Sequence, residues 1–286
     1  MSDPVRLVLN LSCDDKPGIV AGIAGTLANS GCNILDSAQF GDPETGLFFM
    51  RVEFVAPAGV TREDVAAALK SVATRFTMTW AVYDAEDLLP ILVMVSKFDH
   101  CLLDLIYRQR MGALPVKIAA VVSNHLDAKP IADMNGIPFH HVPVTRDTKA
   151  QAEARMLEIY DETGAELVVL ARYMQVLSED LSARLSGRII NIHHSFLPAF
   201  KGAKPYHQAH ARGVKLIGAT GHYVTSDLDE GPIIEQDAEP VSHAHSANEL
   251  VAIGRDIEAR VLARAVKVHA ERRVFINGVK TVVFRP

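Results

Sequence analysis

Nothing in the 286 residues joins a basic opening to a following apolar stretch, and the longest apolar run, around Leu88 to Val95, is broken by Pro90. Neither an export signal nor a membrane span is expected. Cysteine is scarce: Cys13, Cys32 and Cys101 are an odd number without CxxC spacing, which argues against a disulfide framework or a zinc knuckle. A reducing, cytoplasmic setting fits that scarcity. Charge of one sign is also lacking, since a formal net charge of -5 implies no electropositive footprint for nucleic acid. Internal repeats and low-complexity tracts are absent as well. What the chain does have is apolar residues, 49% of the total, enough to bury real cores at a length that suits two compact domains.

From Val5 to Leu11 the odd positions are apolar while Arg6, Asn10 and Ser12 are polar, the period of a half-buried strand. Asp15-Lys16-Pro17-Gly18 then opens a helix with Pro17 in its first turn, Ile19, Ile23 and Leu27 on the inner face and Gly31 as its stop. Strands are predicted at Asn33 to Phe40 and Leu47 to Phe54 across a turn-rich link, and at Met78 to Tyr83. Thr61 with Asp64 resembles a capping box ahead of a helix that buries Val65, Leu69 and Val72. The order is βαββαβ, a ferredoxin-like split unit over residues 1–84.

Beyond an acidic linker at 85–89, apolar strands alternate with longer amphipathic helices over 90–286. The predicted strands are Ile91 to Val95, Val116 to Val122, Phe139 to Val142, Leu167 to Leu170 and Ile189 to Ile192. Such alternation predicts an α/β fold with a doubly wound, mostly parallel sheet. A long helix from about Ala247 to Arg272 and a hairpin around Asn277-Gly278 complete the reading. Ligands on such sheets collect outside the carboxyl ends of the strands, which directs attention to the residues after Ile192.

There the chain reads Asn191-Ile192-His193-His194-Ser195 and runs into Leu197-Pro198-Ala199-Phe200-Lys201-Gly202. Strand alternation puts Asn191 and His193 on one face and His194 on the other. An amide donor and an imidazole on a shared surface suit carbonyl chemistry, the first for an oxyanion and the second for a proton. A carboxylate is available from Gly221-His222-Tyr223-Val224-Thr225-Ser226-Asp227-Leu228-Asp229-Glu230-Gly231-Pro232. These residues by themselves are equally compatible with satisfied polar groups at a strand end and a solvated acidic turn.

The run NIHHSFLPAFKG, followed by GHYVTSDLDEGPIIEQ, resembles the signature of the formyltransferase fold family that uses 10-formyltetrahydrofolate. Glycinamide ribonucleotide transformylase and methionyl-tRNA formyltransferase are among its members. The resemblance implies a catalytic set of Asn191, His193 and Asp229. It further implies a pteridine pocket at Met174, Gln175, Val176 and Leu177, with hydrogen bonds to the backbone from Val224 through Thr225, Ser226, Asp227 and Leu228 to Asp229. His222, on the strand leading into the Asp229 loop, approaches that site or serves equally as a structural histidine; for Met174 to Leu177 the alternative is a helix entry packed in the core.

The N-terminal unit is similar to an ACT domain through Asp15-Lys16-Pro17-Gly18-Ile19-Val20 and its element order. An ACT unit ahead of a formyltransferase unit resembles the formyltetrahydrofolate deformylases. That resemblance implies hydrolysis of 10-formyltetrahydrofolate to formate and tetrahydrofolate, supplying formate and balancing folate pools for purine biosynthesis. Transformylases place a glycine-rich, phosphate-binding loop after the first strand of this domain, whereas Ser96-Lys97-Phe98-Asp99-His100-Cys101 has no glycine and adds an acid. With a nucleotide acceptor disfavoured, water remains. A formyltransferase to another acceptor and a non-catalytic folate or amino-acid sensor are the alternatives.

An ACT unit implies an amino-acid effector near Asp15 to Val20 and a homo-oligomer formed through sheet edges. No tightly bound cofactor and no metal are expected, because His207 with His210 lacks a partner set and His243 and His245 belong to a loop. Lys201 and Lys204 are candidates for steering an anionic folate tail. Arg260, Arg264 and Lys267 read as a solvated helix stripe.

Overall fold

The computed structural model describes residues 3–197 and 205–285, which group into two compact units. The first contains β1 (Val5–Asp14), α1 (Ile19–Asn29), β2 (Asn33–Asp42), β3 (Leu47–Ala56), α2 (Arg62–Arg75) and β4 (Thr79–Asp84). Its strands form an antiparallel sheet in the order β2-β3-β1-β4. The alternation in β1 turns Leu7, Leu9 and Leu11 toward Ile19, Ile23 and Leu27 of α1 and Val65, Leu69 and Val72 of α2, forming one buried core. Each such side chain stabilises the fold by roughly 1.5–3 kcal/mol relative to exposure. The capping box is present: Asp64 N–H donates to Thr61 Oγ1 and Thr61 N–H to the Asp64 carboxylate. Pro17 stands ahead of α1 rather than in its first turn, because Gly18 adopts a left-handed φ of 98° and the helix begins at Ile19.

Two further segments, 271–277 and 282–285, cluster with this unit, whereas the whole of 90–286 was expected in the second domain. Side chains of the first sheet hold them. Asn10 Nδ2 donates to the Arg272 carbonyl at 2.7 Å, Arg51 Nε to the Glu271 carbonyl at 3.1 Å, and Asn277 Nδ2 to Asp42 Oδ2 at 2.6 Å. The Phe275 ring lies 5.6 Å from those of Phe49 and Phe284.

The second unit runs through β5 (Leu89–Val95), α3 (His100–Arg110), β6 (Val116–Ser123), α4 (Lys129–Met134), β7 (Phe139–His141), α5 (Lys149–Thr163) and β8 (Leu167–Leu170). It continues with α6 (Glu179–Arg184), β9 (Ile189–His193), α7 (Pro205–Ala211), β10 (Leu216–Tyr223), β11 (Ile233–Pro240) and α8 (Ala247–Ala270). A hairpin of β12 (Val274–Asn277) and β13 (Lys280–Val283) is shared between the units. The seven-stranded sheet has the order β11-β10-β9-β8-β5-β6-β7, with β5 to β9 parallel and β10 and β11 antiparallel at one edge.

This is the expected doubly wound sheet, extended by two strands the sequence reading did not place in it. Glycine lets that edge pack tightly. A Cβ at Gly221 of β10 would stand 2.9 Å from Ala265 Cβ of α8. The solvated stripe expected on α8 is in part an ion-paired face: Arg260 binds Asp237 at 2.9 Å and Glu239 at 2.7 Å, and Arg264 reaches Asp237 at 3.1 Å, all acids of β11.

Candidate active site

A cleft of about 230 Å³ opens at the carboxyl ends of β8 and β9. Asn191, His193 and Asp229 all line it, together with Met174 to Leu177, His222, and Val224 to Leu228. The antiparallel register of β9 and β10 sets His222 directly across from Asn191. The loop after Tyr223 then folds back so that Asp229 Oδ1 stands 3.1 Å from His193 Nδ1. Asp229 takes a left-handed φ of 58°, a conformation Asp tolerates better than most residues. Gly231 makes the return possible: a Cβ there would stand 1.7 Å from the Tyr223 carbonyl oxygen.

The hydrogen-bond directions follow from chemistry. His222 is buried, and burial lowers its imidazole pKa, with His193 acting in the same sense against the Tyr223 carbonyl and Asp229. A neutral ring must place its proton on Nδ1, which donates to the Tyr223 carbonyl at 2.9 Å. His222 Nε2 is then an acceptor, and Asn191 Nδ2 donates to it at 3.2 Å. One amide hydrogen of Asn191 is thus fixed and the other is left for a ligand.

The Asp229 carboxylate is opposed by burial, but the hydrogen bond from His193 and the neighbouring imidazoles hold its pKa below the ordinary 3.8. Ionised, it receives His193 Nδ1–H. His193 Nε2 is buried and has no partner among the described residues. An unmet imidazole nitrogen beside an oriented amide is an arrangement for proton exchange at a bound carbonyl.

Met174, Val176 and Leu228 expose their side chains, so Met174 and Val176 are not core packing; Leu177 alone of the apolar run packs against the core of this unit. Ser96 holds the segment in place, accepting from Met174 N–H at 3.0 Å and bonding Asn124 at 2.7 Å. In the 224–229 loop, Val224 N–H is engaged by the Ile189 carbonyl and the Asp227 carbonyl by Glu230 N–H, so neither is open to a ligand.

His194 departs from expectation. It lines the same cleft, its ring centroid 5.2 Å from that of His193, because β9 ends at His193 and alternation no longer governs the next residue. Of the six residues expected at an effector site, Ile19 is buried in the core of the first unit and the other five are exposed. Lys201 and Lys204, as well as Pro198 to Gly202, lie outside the described residues.

Sequence reasoning missed a buried polar group beside the cleft. Glu258, 1% exposed, accepts from Tyr206 Oη at 2.8 Å, meets His100 Nε2 at 2.8 Å and lies 3.3 Å from Arg172 Nε. Burial would raise this carboxyl, but the His100 hydrogen bond and the Arg172 charge outweigh it and hold the acid ionised. A signal existed in the sequence: Glu258 falls on the same face of its helix as Leu250, Gly254, Val261 and Ala265, where an acid needs buried partners. His100, Cys101 and Glu258 have ligand atoms within 4.8 Å of one another, but a cation there would meet the Arg172 guanidinium.

Comparison with known proteins agrees in both units. Residues 89–266 match the Formyl transferase family and residues 7–70 the ACT domain family. Formyltetrahydrofolate deformylase from Corynebacterium sp. (strain P-1) is 50% identical over 289 residues, covering 100% of both chains. The chain belongs to the formyltetrahydrofolate deformylase family. The Bacillus subtilis (strain 168) deformylase is likewise 50% identical, over 96% of this chain and 93% of its own. Among solved structures, the deformylase from Burkholderia mallei ATCC 23344 is 53% identical with a TM-score of 0.95, covering 98% of this chain and 100% of that one. Matches to the ACT and formyltransferase families thus occur together in this chain, and among the described residues no helix is long and apolar enough to cross a membrane.

Proposed function

We propose that this chain hydrolyses 10-formyltetrahydrofolate to formate and tetrahydrofolate, with Asn191, His193 and Asp229 as its catalytic residues. The observation that carries the reading is His193, bonded through Nδ1 to Asp229 while its buried Nε2 faces a cleft without a partner. The formyl carbonyl lies against Asn191, whose free amide hydrogen donates to the oxygen as water adds to the carbon. One such oxyanion donor is worth roughly 3 kcal/mol of barrier. The His193–Asp229 pair takes a proton from the water and returns it to N10, which leaves as an amine; transfer of this kind contributes about 10² to 10⁴ in rate.

The exposed apolar side chains of Met174, Val176 and Leu228 supply a surface for the flat pteridine, with the loop from Thr225 to Asp229 for its polar edge. Water as acceptor is supported by the stretch from Ser96 to Cys101, where exposed Asp99 at the N-cap of α3 repels a phosphate. We further propose a cytoplasmic role in supplying formate for purine synthesis. An amino-acid effector would act near Asp15 to Val20, and two first units would pair by their edges, where β2 exposes Ile34, Leu35 and Phe40.

Purified protein incubated with 10-formyltetrahydrofolate and no added amine should release formate and tetrahydrofolate in equal amounts. Absence of formate until an amine acceptor is supplied would replace hydrolysis with transfer.

A further inference from the structure

His194 lies in the cleft with no task in the reaction described above. Its ring is enclosed on two sides, by His193 at 5.2 Å between centroids and by Tyr206 at 6.4 Å and 60°. The Tyr206 wall is fixed in turn. Its hydroxyl donates to Glu258, and the absence of a side chain at Gly254 gives the ring its place on α8, since a Cβ there would stand 2.2 Å from Tyr206 Cζ. Burial, with Arg172 acting in the same direction, pushes the His194 imidazole down to about 4, so the ring stays neutral wherever the enzyme works. A neutral imidazole carries one lone pair on nitrogen, and His194 makes no hydrogen bond among the described residues.

Hydrolysis sets a requirement that this ring meets. A water attacks through an oxygen lone pair, so both of its hydrogens must point away from the carbon and into acceptors. His193 Nε2 offers one acceptor. Asn191 turns its amide to His222 and to the carbonyl oxygen, and Asp229 turns Oδ1 to His193, while the neutral His194 ring, with no such task, offers an acceptor for the second. Two imidazoles with centroids 5.2 Å apart can share one water between a nitrogen of each.

We propose that His194 is a further catalytic residue, whose ring nitrogen accepts a hydrogen bond from the attacking water and turns its lone pair toward the formyl carbon. The inference rests on the hydrolytic reading above. As the new C–O bond forms, the carbonyl electron pair moves to the oxygen held by Asn191, and the water proton shared with His193 passes to the His193–Asp229 pair. That proton then goes to N10 as the C–N bond breaks. His194 remains neutral throughout.

The test uses hydroxylamine, a nucleophile strong enough to take the formyl group without a held water. Formate and formohydroxamate are measured together, with and without hydroxylamine, for the unaltered protein, His194→Ala and His194→Gln. In His194→Ala, formate release should fall by about 10²-fold with KM little changed, while hydroxamate formation falls far less. The Gln side chain, which restores an acceptor, should recover part of the formate rate. Unchanged formate release in His194→Ala, or formate and hydroxamate falling by the same factor, would overturn the proposal. Failure of the hydrolytic reading itself would appear separately, as no formate from the unaltered protein.

Discussion

At the scale of single residues, chemistry is concentrated in a few atoms whose partners are already assigned. His193→Ala and Asp229→Asn should each lower formate release by about 10² to 10⁴ while thermal melting changes little, as kinetics and calorimetry on the same preparations would check. The Asp229 carboxyl gives a second, independent handle. Its folded value is depressed, so its contribution to stability is complete above the ordinary 3.8 and is lost as pH falls through the lower folded value. Carbon-13 titration of Asp229 should therefore show a midpoint below 3.8, and His193→Ala should move it upward, because burial then acts against fewer opposing contacts. Asn191 and His193 were legible from strand alternation. His194 was not, since a period of two says nothing about the residue that follows a strand's last rung.

The elements behind these residues were legible where periodicity was strong and hidden where glycine thinned it. All four strands of the first sheet and the five parallel strands of the second follow from apolar patterns read along the chain. In β10, Gly218 and Gly221 interrupt the expected β-branched run, yet they are there for contact: a Cβ at Gly218 would stand 2.5 Å from the Asp237 carbonyl oxygen of β11. Gly231→Ala should be the costly change at this edge. The added carbon cannot coexist with the Tyr223 carbonyl, so the β10–β11 turn must open and carry Asp229 from His193. An activity loss larger than any loss of melting temperature is expected. Gly25→Ala is the control, since that exposed site in α1 has nothing within 4 Å and should gain about 0.5–1 kcal/mol in denaturant unfolding.

On the scale of the whole molecule, the boundary between units is not a single cut. A hairpin at Asn277-Gly278 was legible from its turn residues, but its destination was not, because hydrogen bonds spanning 220 to 262 positions leave no local pattern. Ending the chain after Ala270 should lower the stability of the first unit. Arg51 would lose the Glu271 carbonyl and Asp42 the Asn277 amide, at about 0.5–1.5 kcal/mol for each hydrogen bond. Separate unfolding transitions for truncated and full chains, followed by hydrogen exchange in β1 and β3, would measure it.

That closure by residues 271–277 bears on how the protein is made. A ribosome emits the amino-terminal sheet first, yet Asn10, Asp42 and Arg51 wait for partners translated more than two hundred codons later. The early sheet can therefore complete these polar contacts only after residues 271–277 have left the ribosome.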